Sequence, residues 1–136
     1  MGNRLPYEQG NAFDREINMT ICVVYVGDLK DPTFRWKGGD WNNNVPARLS
    51  PEFPPMSGHY NETFHAWVKS TGIPCEQTDF GGWVARVNKV QIFEFIAAAY
   101  LGSEELSWVA SGLQELKRFV ETLPENREYG LVATEF

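Results

Sequence analysis

The sequence has few of the features that identify an enzyme, a membrane protein or a nucleic-acid-binding protein. Its 136 residues include only two histidines and two cysteines, and 12 Lys and Arg stand against 18 Asp and Glu, for a net charge of −6. A chain this acidic lacks the basic face with which non-specific nucleic-acid binders neutralise phosphates. The longest apolar runs, 21–26 and 95–101, fall far short of the roughly 20 residues of a membrane span, so no membrane association is expected.

The N-terminus lacks the apolar segment of a secretory signal peptide. The expected compartment is therefore the cytoplasm, where Cys22 and Cys75 are expected to remain free thiols. Residues 1–18 are polar and have no sustained period, which predicts a loose N-terminal arm. Residues 19–136 contain no repeat and no linker, so we expect them to form a single domain.

Hydrophobic periodicity predicts an α+β fold. We expect a small, mostly antiparallel sheet packed against three or four helices, with a long loop rich in proline and aromatics and a hairpin insertion. Strands are predicted over 19–27, 82–87 and 129–133, with a loop through Cys75. Helices are predicted to start at Asn61, Asn88 and Ser103 and to stop at Gly72, Gly102 and Pro124.

The second and third predicted helices carry specific local signals. Asn88 and Gln91 have the spacing of a capping box. The helix that follows Asn88 is apolar on most of its surface, which predicts the central, buried helix of the fold. In the third helix Gly112 interrupts an apolar stripe at a cost of about 1 kcal/mol relative to alanine, so a kink or split is expected there.

The most unusual part of the chain is residues 28–60, which hold five of the eight prolines and five aromatic residues. Within it, 33–41 (TFRWKGGDW) predicts a hairpin that turns at two glycines. We call 33–41 the basic-aromatic segment. It supplies the first candidate binding residues, because Trp and Arg are enriched at the energetic centres of interfaces: Arg35, Trp36, Lys37 and Trp41. The alternative is that Trp36 and Trp41 fold inward and cover the sheet.

A second candidate surface lies in the acidic C-terminal part of the chain. From Glu94 to Glu135 there are eight acidic residues and three basic ones. Such a patch is commonly a solvated surface, but it also fits docking on a basic partner. The residues predicted for this secondary patch are Glu104, Glu105 and Glu115.

The candidates for chemistry are weak. Cys75, in a predicted loop, could serve as a nucleophile if His65 or His59 lay beside it to activate the thiol. The two histidines are six residues apart, which fits neither a helical pair nor the paired spacings of zinc modules. No metal site and no cofactor are predicted, and no phosphate-binding glycine loop or dinucleotide motif is present.

Three functions remain as hypotheses. The leading one is a small acidic cytosolic protein that binds a protein partner and acts by occluding it, as inhibitors and immunity proteins do. The second is a small-ligand binder, for example for a nucleotide, in which the Trp36 and Trp41 rings stack on a base while Arg35 and Lys37 meet phosphate. The third is a thiol hydrolase that uses Cys75.

Overall fold

The computed structural model describes residues 22–56 and 60–135, and the arm predicted over 1–18 lies outside these residues. The described residues form five strands and three helices, and this confirms the predicted α+β class. In chain order the elements are β1 (Cys22–Asp28), β2 (Ala47–Arg48), α1 (Tyr60–Thr71), β3 (Cys75–Asp79), β4 (Gly82–Asn88), α2 (Lys89–Ala99), α3 (Ser107–Glu121) and β5 (Glu128–Glu135). None of the helices in these ranges is long and apolar enough to cross a membrane.

The strands form one antiparallel sheet in the order β2-β1-β5-β4-β3. The last strand of the chain, β5, therefore lies in the middle, paired with β1 on one side and β4 on the other. This position explains why residues 129–133 are all buried. The loop predicted through Cys75 is wrong, because residues 75–79 pair with β4 as the edge strand β3.

Both faces of the sheet are covered, and strand alternation decides which side chains lie on each. In β4, Trp83, Ala85 and Val87 join the core beneath the helices, whereas Val84 lies on the opposite, outer face. Residues 29–46 cover that outer face with Leu29, Phe34, Trp36 and Val45. The sheet is therefore a middle layer between three helices and a loop.

The helix boundaries follow the local signals closely at two places. Gly72 adopts a φ of 70° directly after α1, which is the left-handed conformation that ends helices. The capping box of α2 is confirmed: the Gln91 amide donates to Asn88 Oδ1 at 2.8 Å, and the Asn88 amide donates to Gln91 Oε1 at 2.9 Å. The burial expected for α2 is only partly right, since Val90 and Ala97 are exposed.

The turn between α2 and α3 differs from the prediction. Residues 101–105 form turns, and α3 begins at Ser107 rather than at Ser103. The helix then runs without a break through Gly112, so the predicted split is absent from α3. Gly112 instead permits close packing, because a Cβ there would lie 3.1 Å from Cγ of Pro54.

Part of the proline-rich stretch 28–60 packs along β1. The amides of Leu49 and Phe53 each donate to β1, to the Val26 and Val24 carbonyls, both at 2.8 Å. The Val26 amide donates in return to Ser50 Oγ at 2.8 Å. The backbone groups of β1 that the short strand β2 does not reach are thus hydrogen-bonded by a side chain and by irregular backbone.

Candidate functional site

The basic-aromatic segment is not a hairpin, since residues 33–41 contain no paired strand. The segment is a loop closed by the buried side chain of Asn44, whose amide group bonds the backbone of Arg35 at both the N–H and the C=O, each at 2.9 Å. A side chain thus occupies the place of the partner strand. Gly38 provides the positive φ of 74° that the loop requires.

Trp36 belongs to the cover of the sheet. Its ring lies edge-on to Phe34, with 6.5 Å between ring centroids, and packs on the outer face. The guanidinium of Arg86, from β4, lies 4.6 Å from the ring centroid of Trp36. This arrangement matches the inward alternative for Trp36, because sheet and guanidinium occupy surface that a partner or ligand would need.

Trp41 has a different environment, at the tip of the β3–β4 hairpin. It is 45% exposed and lies edge-to-face with Phe80, which is 74% exposed, at a centroid distance of 5.6 Å. The Phe80 amide donates to the Trp41 carbonyl at 3.3 Å, which connects the loop to the hairpin. We call Trp41 and Phe80 the aromatic pair. Sequence analysis missed Phe80, although its position before two glycines indicates a turn.

The two cations predicted beside these rings are engaged with the chain itself. Arg35 is exposed, and its Nη1 donates to the Pro32 carbonyl at 2.9 Å. Lys37 pairs with Glu76 of β3 at 3.3 Å, with the lysine side chain largely exposed. A surface ion pair such as Lys37–Glu76 contributes little to stability, so Lys37 can still exchange partners. Of the two predicted rings, Trp41 is exposed whereas Trp36 is only partly exposed.

The secondary acidic patch lies beside exposed apolar side chains that the sequence analysis did not single out. Glu104 and Glu105 are exposed in the turn after α2, and Glu115 is exposed on α3. Leu101 is 80% exposed and Trp108 is 61% exposed, on either side of the two turn acids. Trp108 was detectable in principle, because it falls outside the apolar stripe of α3 that Val109, Leu113, Leu116 and Val120 define.

Cys75 lacks the electrostatics of a nucleophile. Burial and, as the smaller cause, the neighbouring Glu76 carboxylate raise the pKa of its thiol to about 11. An activated cysteine needs the opposite shift. The His65 ring lies edge-on to Trp83 and Phe64, at centroid distances of 5.0 and 5.3 Å. His59 lies outside the described residues, so its predicted role stays a prediction.

Within 22–56 and 60–135 no three His, Cys, Asp or Glu side chains are grouped as a metal site would require. Comparisons with protein-family models, curated proteins and solved structures returned no match.

Proposed function

We propose that this protein binds a basic protein partner through the turn between α2 and α3 and acts by occluding that partner. The observation that supports this proposal is that Leu101 and Trp108 are exposed on either side of Glu104 and Glu105 in the chain. We call residues 101–108 the turn surface. Tryptophan is prominent among the residues that dominate binding energy at interfaces.

The charge around the turn surface favours a partner of opposite sign. Residues 90–116 contain four acidic residues and no Lys, Arg or His, and Lys117 is the basic residue that lines a groove together with Glu104. Acids next to exposed apolar side chains complement a recess bordered by Lys and Arg, and such complementarity speeds association and selects the partner. The net charge of −6 acts in the same direction at longer range.

Hydrogen bonds within the turn surface restrain its backbone. The buried Ser103 donates its hydroxyl to the Tyr100 carbonyl at 3.2 Å, and its own carbonyl accepts from the Leu106 amide at 3.2 Å. Glu104 Oε1 accepts from the Gly102 amide at 2.9 Å. A turn fixed before binding loses less conformational entropy when the partner docks, which favours affinity.

The aromatic pair is the second candidate contact surface for the same function. Trp41 and Phe80 offer a small exposed apolar area. Because it is part of this exposed pair, Trp41 stays among the proposed binding residues. The nucleotide hypothesis receives less support, since the Trp36 ring that it requires for stacking is covered by Arg86.

The test is a comparison of matched variants in binding. Wild-type protein and the double variant Leu101→Ser/Trp108→Ala are immobilised and exposed to extract of the native cells, and retained proteins are quantified by mass spectrometry. We expect a basic protein to be retained by the wild type, released by raised salt, and lost with the double variant. Circular dichroism verifies that the variant is folded, which is expected because both side chains project from the surface.

Two further variants make the assignment specific. Val90→Ser removes an exposed apolar side chain at the other end of α2 and should leave retention unchanged. The purified partner is then titrated calorimetrically against each variant. Equal affinity for the wild type and the double variant contradicts the proposal, and loss of binding with Trp41→Ala alone would assign the contact to the aromatic pair instead.

A further inference from the structure

A cavity of about 550 Å³ gathers basic side chains in this acidic protein. Lys30 follows β1, Arg86 lies in β4, and Arg127 precedes β5, and the three meet because these strands pair with their ends aligned. Leu29 and Pro124 form apolar parts of the wall. We call this space the basic cavity.

The side chains around the basic cavity carry a net positive charge, whereas the chain as a whole is acidic. Three of the 12 Lys and Arg residues line it, together with one acid, Glu128. Asp28 lies next to it and accepts from Arg127. With both acids counted the local charge is still one positive, in a protein whose net charge is −6.

Arg127 is fixed in position and retains hydrogen-bonding capacity. Its Nη2 donates to Asp28 Oδ1 at 2.9 Å, and its guanidinium lies 5.2 Å from the centroid of the Tyr129 ring. Its Nε is buried and has no acceptor among the described residues. The Arg127 side chain as a whole is 29% exposed, so guanidinium N–H groups that Asp28 does not occupy can donate to a ligand acceptor in the basic cavity.

Arg86 is oriented by one contact and only weakly paired by another. Its guanidinium lies over the Trp36 ring, 4.6 Å from the ring centroid, which restrains the position of the group. Its ion pair with Glu128 is 3.3 Å long, and the Glu128 side chain is 60% exposed. An exposed pair of this kind contributes little to stability. A ligand anion can therefore replace the Glu128 carboxylate at small cost.

We propose that the basic cavity binds a small organic phosphate. Two guanidinium groups can offer paired N–H donors to phosphate oxygens, and the Lys30 ammonium adds a point charge. Leu29 and Pro124 contact the organic part, and Asn126, also in the wall, can hydrogen-bond it. The volume lies within the usual range of about 300–1,000 Å³ for small-molecule sites. This site is independent of the turn surface.

The experiment titrates isotope-labelled protein with AMP, inorganic phosphate, succinate and adenosine, and follows backbone amide and indole resonances. We expect AMP to shift the amides of residues 29–30 and 126–128 and the indole N–H of Trp36 in a saturable way. Inorganic phosphate should cause the same shifts with weaker affinity, while succinate and adenosine should cause far smaller ones. Shifts by succinate equal to those by AMP would overturn the proposal in favour of a general anion site.

Variants decide whether the named side chains hold the ligand. Lys30→Gln and Arg86→Gln should each weaken AMP binding by about tenfold or more, as loss of a charge-assisted contact does. Lys69→Gln, which removes an exposed lysine from α1, should leave the affinity unchanged. Equal weakening by all three variants, or no saturable shift with any phosphate, overturns the proposal. Lys30 is exposed, so this variant stays informative even if Arg86→Gln disturbs packing on Trp36.

Discussion

Asn44 bonds the backbone of Arg35 with both ends of its side-chain amide. Its Oδ1 accepts from the Arg35 N–H at 2.9 Å, and its Nδ2 donates to the Arg35 carbonyl at 2.9 Å. The backbone N–H of Asn44 donates to Asp79 Oδ1 of β3 at 3.2 Å. One buried asparagine therefore closes the basic-aromatic segment and connects it to the sheet.

Asn44→Ala should destabilise the protein by about 1–3 kcal/mol, because it leaves the polar backbone groups of Arg35 without their partner. Urea unfolding measured by circular dichroism gives the free energy of unfolding. Asn42→Ala, at an exposed position of the same loop, is the control and should change that free energy by less than about 0.5 kcal/mol. Equal effects of the two substitutions would show that the paired hydrogen bonds do not hold the loop.

Trp36→Ala and Trp41→Ala should differ in their effect on stability. Trp36 covers the sheet beneath the Arg86 guanidinium, so its removal should cost about 2 kcal/mol or more. Trp41 is 45% exposed, and its loss removes mainly the contact with Phe80, at about 1 kcal/mol or less. Thermal and urea unfolding of both variants check the order. A larger loss for Trp41→Ala would contradict the assignment of Trp36 to the sheet cover.

Cys75 should react slowly with alkylating agents. With its pKa raised from 9.0 to about 11, the thiolate fraction at pH 8 is lower by about a hundredfold than for an unshifted thiol. Iodoacetamide labelling over time, followed by peptide mapping, measures Cys75 separately from Cys22. A short peptide containing residues 73–78 is the reference. Labelling of the folded protein as fast as the peptide would show a reactive thiol and would support the hydrolase hypothesis again.

Asp31 should add stability that depends on pH. The amide and hydroxyl of Thr33 and the amide of Ala47 all donate to its carboxylate and hold its pKa below the ordinary 3.8. A carboxyl with a lower pKa in the folded chain stabilises it at pH above about 4, and this contribution is lost as the pH falls through the folded value. Asp31→Asn should therefore lower stability at pH 7 and lose this difference in strong acid.

A second substitution tests the cause of the Asp31 shift. Thr33→Val removes the hydroxyl donor and keeps the backbone donor, so the pKa of Asp31 should rise partway towards 3.8. Carbon NMR of the carboxyl follows the titration directly. A pKa at or above 3.8 in the unaltered protein would refute the assigned hydrogen bonds.

The features that sequence analysis located well depend on neighbours in the chain. The capping box of Asn88 and Gln91 involves residues three apart, and Gly72 ends α1 through its own φ angle. Such interactions form whatever the rest of the chain does, so a local pattern is enough to identify them.

The candidate site needed information that a local pattern does not carry. Trp36 and Trp41 are five residues apart in one segment, yet Arg86 covers the first and Phe80 contacts the second. The hairpin expected around Gly38 failed for the same reason, since Asn44 and the outer face of the sheet offered the loop better partners than a second strand.

The sequence alone determined the α+β class, the capping box that begins α2 and the glycine that ends α1. Only the tertiary structure decided which aromatic rings are covered, and where basic and acidic side chains gather. Periodicity states which residues share a face, whereas exposure depends on what packs against that face. The basic cavity unites residues 30, 86 and 127, and only strand pairing across the sheet brings them together.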